Sequence, residues 1–331
     1  MTMTIRNRAG ALVLGAALIT GAGAHAQAIE IHNTMGPGGS EDAALQRFAE
    51  IIEERSDGRL SVSVYLGGQL GGETDVLELL NLGQTQMALT GGIFMGQYAA
   101  EYDAVSVPFV FPNWEAAEYF IMETDSGRAM QEQSRARGGL VYLGPQMRAF
   151  RHMTSNKAIE SPDDLVGLKM RMPQIPVWLS VWGELGVQAV VIPAPDIYFA
   201  MRTGQIDAHE NSLASPYTRQ MWEVQSHIIT TAHLSFPWHW VASESWWNSL
   251  DEADQQMIRE AVEEARQHGY EAETEADNYY REGLIANGMT FIDVDQAPFR
   301  EKAAPAVAAV LAEMADGVVE DIEAAIAATA E

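Results

Sequence analysis

Residues 29–72 read IEIHNTMGPGGSEDAALQRFAEIIEERSDGRLSVSVYLGGQLGG, and the spacing of their apolar positions changes twice. Ile29 and Ile31 alternate with Glu30 and His32, the two-residue period of a strand. From Ser40 to Arg55 the apolar residues Ala44, Phe48, Ile51 and Ile52 recur at helical spacing. Asp57-Gly58 ends that helix, and Leu60, Val62 and Val64 then alternate with Ser61 and Ser63 as a second strand. A strand, a helix and a strand in that order imply parallel pairing with a right-handed crossover, and therefore an α/β fold. The glycine run at 67–72 leads into a further helix opened by Glu73 and Asp75. The earlier loop, Gly36-Pro37-Gly38-Gly39-Ser40, joins the C-terminal end of a strand to a helix N-terminus, where ligands of open α/β sheets sit. His32 and Asn33, at that strand end, are candidate ligand contacts. Neither glycine loop has the Lys-Ser/Thr ending of a nucleotide loop or the dinucleotide fingerprint.

Upstream, Arg6 and Arg8 precede an apolar run from Ala9 to Ile19 and the small-residue stretch Gly21-Ala22-Gly23-Ala24-His25-Ala26. This order of charged, apolar and small residues is that of a secretory signal peptide, residues 1–26, with a mature chain starting near Gln27. The run is too short for the ~20 apolar residues of a membrane-spanning helix, and no second hydrophobic span follows, so no direct membrane insertion is expected. Without cysteine, neither disulfides nor thiolate chemistry is available. The 46 acidic residues against 20 basic ones repel nucleic acid and anionic lipid. A small anion remains compatible with this balance, because salt screens distant charges beyond ~10 Å and a local arginine cluster can dominate.

Downstream, α and β signals keep alternating: Gly139 to Leu143 and Val187 to Ile192 read as strands, Asp196 to Arg202 as a helix. Residues 148–173, RAFRHMTSNKAIESPDDLVGLKMRMP, are the densest in signals. Ser161-Pro162-Asp163-Asp164 is an N-cap with proline at the first helical position and an acid at the third, and Gly167 stops that short helix. Leu168, Met170 and Met172 alternate with Lys169 and Arg171, a half-buried strand with both cations on one face. By pattern alone, Arg171 reads either as a solvated edge or as a planar fork for a carboxylate.

The run RHMTSNKAIESPDDLVGLKMRMP, followed by Val191-Ile192-Pro193, by DIYFAMRTGQID at 196–207 and by His209-Glu210-Asn211, resembles the DctP-type solute-binding proteins of tripartite ATP-independent periplasmic (TRAP) transporters. Gly67-Gly68-Gln69-Leu70-Gly71 is similar to that family as well. The resemblance implies that Arg171, which ends the Gly-Leu-Lys-x-Arg strand, makes the main salt bridge to a ligand carboxylate. It places a second family arginine at Arg151 and an asparagine at Asn211. It departs at Ser212, where the family usually has proline, and at Ala194, where sialic-acid-binding members have an aromatic. A ligand wall is then to be sought among Trp178, Phe236, Trp238 and Trp240, with Trp178 and Trp238 carried forward as site residues; such rings are also commonly core.

Catalytic constellations are weak. His209-Glu210 lacks the second histidine of a helical zinc site, His233 to His239 spans a proline-containing strand-like segment, and no serine has a nucleophile-elbow context. With no catalytic constellation against it, the resemblance implies a non-enzymatic receptor without cofactor or metal, which delivers a small organic acid to TRAP membrane subunits in the periplasm. A uronate or aldonate is favoured, a C4-dicarboxylate or keto acid is the alternative, and a sugar-acid hydrolase the runner-up class. Resemblance and pattern together imply a two-lobe periplasmic-binding-protein-like fold with mixed sheets, hinge strands and a long bracing helix opened by Asp251, Glu252 and Asp254. Lobe one is expected at 27–148 plus 237–276 and lobe two at 149–236 plus 277–331, closing by hinge motion.

Overall fold

The computed structural model describes residues 27–91, 95–173, 175–192 and 196–330. The expected signal stretch 1–26 and Ala194 lie outside the described residues.

The first sheet grows from the strand–helix–strand unit at its N-terminal end. Strand β1 (Gln27–His32) pairs in parallel with β2 (Leu60–Tyr65), and helix α1 (Ser40–Arg55) makes the crossover. Ala44, Phe48, Ile51 and Ile52 are all buried on the face that α1 turns to the sheet. Helix α2 (Glu73–Asn81) starts where the Asp75 carboxylate accepts the Gly72 N–H at 2.8 Å. Strand β3 (Met87–Gly91) follows in parallel with β1. Helices α3 (Trp114–Glu123) and α4 (Asp125–Gly138) lead into β4 (Leu140–Gln146). The sheet order is β2-β1-β3-β10-β4, with β10 (Trp238–Ser243) antiparallel to both neighbours.

The second sheet contains β5 (Arg151–Ser155), β6 (Lys169–Met172), β7 (Gln188–Val191), β8 (Ala208–Asn211), β9 (His227–Leu234) and β11 (Thr290–Ile292), ordered β11-β9-β5-β8-β6-β7. Helices α5 (Pro176–Glu184), α6 (Ile197–Arg202) and α7 (Ala214–Thr218) belong to this half. Both sheets are mixed, and the fold is a two-lobe α/β architecture. The chain crosses between sheets at 147–150 and 235–237, and the two crossings lie side by side. Gln146 pairs with Trp238 on one side and Arg151 with Leu234 on the other, and Ser235 Oγ donates to the Arg148 carbonyl at 2.7 Å.

A one-turn helix, α8 (Glu244–Trp247), precedes the long helix α9 (Glu252–Ala286), whose first turn is capped by Asp251 accepting the Asp254 N–H at 2.8 Å. Ile258, Ala261, Val262 and Ala265 form its buried stripe against the first sheet's core. It packs on α1 near one end and on α7 near the other, so one rigid element touches both lobes. It runs unbroken through residue 276, so the expected lobe divide there falls inside a helix. Helix α10 (Gln296–Leu311) packs on α5, whereas the last helix, α11 (Val318–Ala328), packs on α3 and α4, so the tail is shared between the lobes. Among the described residues no helix is long and apolar enough to cross a membrane.

One local expectation is corrected. Lys169 is exposed but Arg171 is only 7% exposed. Strand β6 lies between β8 and β7 rather than at an edge, and of the two cations on one face only Lys169, at the start of the strand, stays exposed.

Candidate functional site

A cleft of about 580 Å³ opens between the lobes. Its first wall is the β1–α1 loop and the start of α1, including Gly38, Ser40 and Glu41, together with Arg148 from the first crossing. Its second wall is the end of β8 and the segment after it, including Asn211, Ser212 and Arg219. Glu273 and Tyr280 of α9 form the floor. The glycine loop after β1 carries the chain to the N-terminal end of α1, and the cleft meets that end of the helix.

Asn211 is the predicted site residue that lines this cleft directly. It ends β8, where its neighbour across the ladder is His152, and its Oδ1 accepts the Ser212 N–H at 2.9 Å. Arg171 stands on β6, the neighbouring strand of the same sheet. Its Nε donates to the Ile192 carbonyl at 2.8 Å, and among the described residues neither Nη has a hydrogen-bond partner. Burial lowers the pKa of its guanidinium; Glu210 opposes that shift, and the nearby cations Arg151 and Arg219 reinforce it. Even so, a guanidinium remains charged at neutral pH. A buried cation with an open fork is costly unless an anion meets it.

Arg151 is placed differently. Its Nε and Nη2 donate to the two oxygens of Glu210 at 2.6 and 2.8 Å, and Nη2 also donates to the Glu210 carbonyl at 3.1 Å. Its guanidinium carbon lies 5.0 Å from the centre of the Trp178 ring. His233 Nε2 reaches the same carboxylate at 3.0 Å, and its Nδ1 meets Thr231 Oγ1 at 2.8 Å. A neutral ring with the proton on Nε2 satisfies both contacts, the hydroxyl donating to Nδ1. Burial alone would raise the Glu210 pKa; the charge of Arg151 and the hydrogen bonds from Arg151 and His233 outweigh it and hold the carboxyl down to about 2.

The predicted aromatic residues divide between the two lobes. Trp178 is buried, donates from Nε1 to the Ser106 carbonyl at 2.6 Å and meets Phe236 edge-on. Trp238 is buried behind the first cleft wall, where its Nε1 donates to Glu41 Oε1 at 2.7 Å and the Arg148 guanidinium sits 5.2 Å from its ring. Trp240 packs on Phe48 in the core. His32 and Asn33 are not brought to the interlobe cleft. They line a small pocket beside β1–β3, with room for little more than one water. His32 Nε2 meets Thr85 Oγ1 at 2.8 Å, and burial lowers its pKa to about 4; the Asn33 amide donates to the Leu89 carbonyl at 2.7 Å and accepts from the Met35 N–H at 2.7 Å.

The structure adds cleft residues that the sequence reading missed: Glu41, Arg148, Arg219 and Glu273. Arg148 and Arg219 sit in irregular segments where no periodicity orients a side chain. Glu41 and Glu273 lie on α1 and α9, where the apolar stripe marks the buried face but nothing local marks an acid as facing a cleft. What could have singled out Arg148 is its place immediately before a crossing between lobes.

Comparison with known proteins agrees with this architecture. A solute-binding protein of Roseobacter denitrificans is 30% identical over 281 residues, 84% of this chain and 85% of its own. A crystal structure of a TRAP periplasmic solute-binding protein from that organism, with bound L-galactonate, is 27% identical with a TM-score of 0.74, covering 91% of this chain and 98% of that one. A TRAP periplasmic solute-binding protein from Ochrobactrum anthropi, its C-terminus bound in the ligand-binding pocket, superposes with a TM-score of 0.87 at 26% identity, covering 92% and 96%. One from Polaromonas, bound to D-erythronate, is 26% identical with a TM-score of 0.78, covering 92% and 100%. The sequence model of bacterial extracellular solute-binding protein family 7, DctP, matches residues 32–314, and the chain belongs to that family of TRAP-type solute-binding proteins.

Proposed function

We propose that this chain is a non-enzymatic periplasmic receptor which closes its two lobes on a small organic acid, with a uronate or aldonate as the favoured ligand, and presents it to TRAP membrane subunits. The observation that carries the reading is Arg171: a buried guanidinium, held through Nε, with both Nη groups without a hydrogen-bond partner among the described residues, in a sheet whose end lines the cleft. A ligand carboxylate would accept from that fork, and Asn211 at the cleft wall would donate to the same group. Arg151 would act mainly by position, since Glu210 and Trp178 hold it. Relatives above a quarter identity that hold L-galactonate and D-erythronate support an aldonate. A C4-dicarboxylate is the second reading, because a Rhodobacter capsulatus relative named as a C4-dicarboxylate-binding protein is 26% identical over 326 residues.

The two adjacent crossings support hinge closure. Calorimetry of the mature chain against L-galactonate, D-galacturonate, D-erythronate, succinate and pyruvate tests the reading. Saturable binding of at least one acid without turnover is expected, and chemical conversion of the bound acid or no binding of any would overturn it. Export by the signal at 1–26 predicts that mass spectrometry of periplasmic protein finds Gln27 or a near neighbour at the N-terminus.

A further inference from the structure

The first cleft wall contains a second cation whose donors are idle. Arg148 lines the cleft with its side chain 18% exposed. Its Nε is buried without a hydrogen-bond partner and lies 3.6 Å from Glu41 Oε1, an ion pair but too long for a hydrogen bond. The chain fixes it from behind: Ser235 Oγ donates to its carbonyl at 2.7 Å, and the ring of Trp238 lies 5.2 Å from the guanidinium carbon. Glu41 is likewise built in. It is 4% exposed, accepts from Trp238 Nε1 at 2.7 Å and faces Ser40 Oγ at 3.4 Å; that hydroxyl in turn donates to Glu273 Oε2 at 2.5 Å. Donor and acceptor thus stand side by side on one wall, backed by an aromatic ring.

We propose that Arg148 and Glu41 form a polyol-reading wall, which sets the receptor's preference for a polyhydroxy monoacid over a dicarboxylate. This rests on the organic-acid reading above and names the part of the ligand that the Arg171 anchor leaves unread. An alcohol both donates and accepts, so one hydroxyl of a neighbouring pair accepts an N–H hydrogen bond from Arg148 while the other donates its O–H to the Glu41 carboxylate. A second carboxylate only accepts. It satisfies Arg148 but is set against the negative charges of Glu41 and Glu273, which costs it affinity relative to neutral hydroxyls.

Calorimetry with L-galactonate, D-erythronate and succinate separates the alternatives, using wild type, Arg148→Gln, Arg148→Lys, Glu41→Gln and Arg171→Ala, each checked for native circular dichroism. Wild type binds L-galactonate more tightly than succinate. Arg148→Gln weakens L-galactonate by about 10- to 100-fold, weakens the shorter D-erythronate less, and Arg148→Lys recovers part of the loss. Glu41→Gln narrows the preference for L-galactonate over succinate. Two results overturn the wall: wild type preferring succinate, or Arg148→Gln leaving L-galactonate within about twofold. Full affinity in Arg171→Ala would instead remove the carboxylate anchor and leave the wall standing.

Discussion

Arg151 and Glu210 face each other as a two-pronged ion pair, Nε to Oε2 at 2.6 Å and Nη2 to Oε1 at 2.8 Å, with the carboxylate wholly buried. Met153 lies opposite Glu210 in the antiparallel β5–β8 ladder, and Arg151, two residues along β5, is the diagonal neighbour. His233 from β9 closes the third side of the carboxylate. The pair therefore ties three adjacent strands together where the chain leaves for the other lobe.

Removing the charge at Glu210 leaves the half-buried Arg151 without its counter-ion, since Gln can offer only one acceptor to a two-pronged donor. Glu210→Gln should lower unfolding free energy by about 3–5 kcal/mol, measured by urea denaturation at neutral pH. The pH dependence has a definite sign. The folded carboxyl titrates near 2, below its ordinary 4.5, so its contribution is complete above 4.5 and is lost as pH falls towards 2. Wild type should lose stability over that window faster than the variant does; parallel curves would exclude the pair as the cause.

Glu73 should behave in the opposite sense. Burial raises its pKa to about 6, against the lowering effects of the Gly91 N–H, Thr34 and Arg148. A raised carboxyl favours the folded state most below the ordinary value of 4.5, and that contribution disappears as pH rises through 6. Glu73→Gln, which keeps an acceptor for Gly91, should match wild type near pH 4 and exceed it by on the order of 1–2 kcal/mol above pH 7. Urea midpoints at the two pH values decide, and a difference independent of pH would rule the assignment out.

The long helix should tolerate no added methyl at Gly269. A Cβ there would lie 2.6 Å from Gln146 Nε2 and 2.8 Å from Ala44 Cβ, against the parts of β4 and α1 that α9 braces. Alanine gains roughly 1 kcal/mol of helix propensity, but overpacking costs about 1–3 kcal/mol, so a net loss is expected. Gly269→Ala with higher stability than wild type would mean that α9 stands off α1 more freely than its packing indicates.

The elements of the first lobe were readable because each has one buried face, and burial writes its period into the sequence: Ala44, Phe48, Ile51 and Ile52 mark α1, and Leu60, Val62 and Val64 mark β2. The second lobe was readable mainly through the motif between Arg151 and Asn211. Alternation along 168–172 predicted strand β6 but not that a strand on each side would bury Arg171. The cleft was least legible, because Glu41, Arg148 and Trp238 meet only after the chain has crossed twice between sheets. Local periodicity cannot report a contact made by topology.

The binding energy should concentrate at Arg171. Its Nε bond to the Ile192 carbonyl fixes the plane of the guanidinium, so both Nη groups are presented without further loss of side-chain freedom. The cost of burying this cation is already met in the folded protein, which leaves an arriving carboxylate to gain two charge-assisted hydrogen bonds where water is scarce. Arg171→Ala should weaken binding of the best acid by on the order of 2–5 kcal/mol, as for a buried charge pair that loses one partner. Stability without ligand should change little or rise, because an unpaired buried charge is removed. Arg171→Lys keeps the charge without the planar fork and should recover only part of the affinity. Calorimetry on the folded variants settles the assignment: an Arg171→Ala protein within about twofold of wild type, roughly 0.4 kcal/mol, would place the carboxylate anchor elsewhere, with Arg219 on the same wall as the next residue to test.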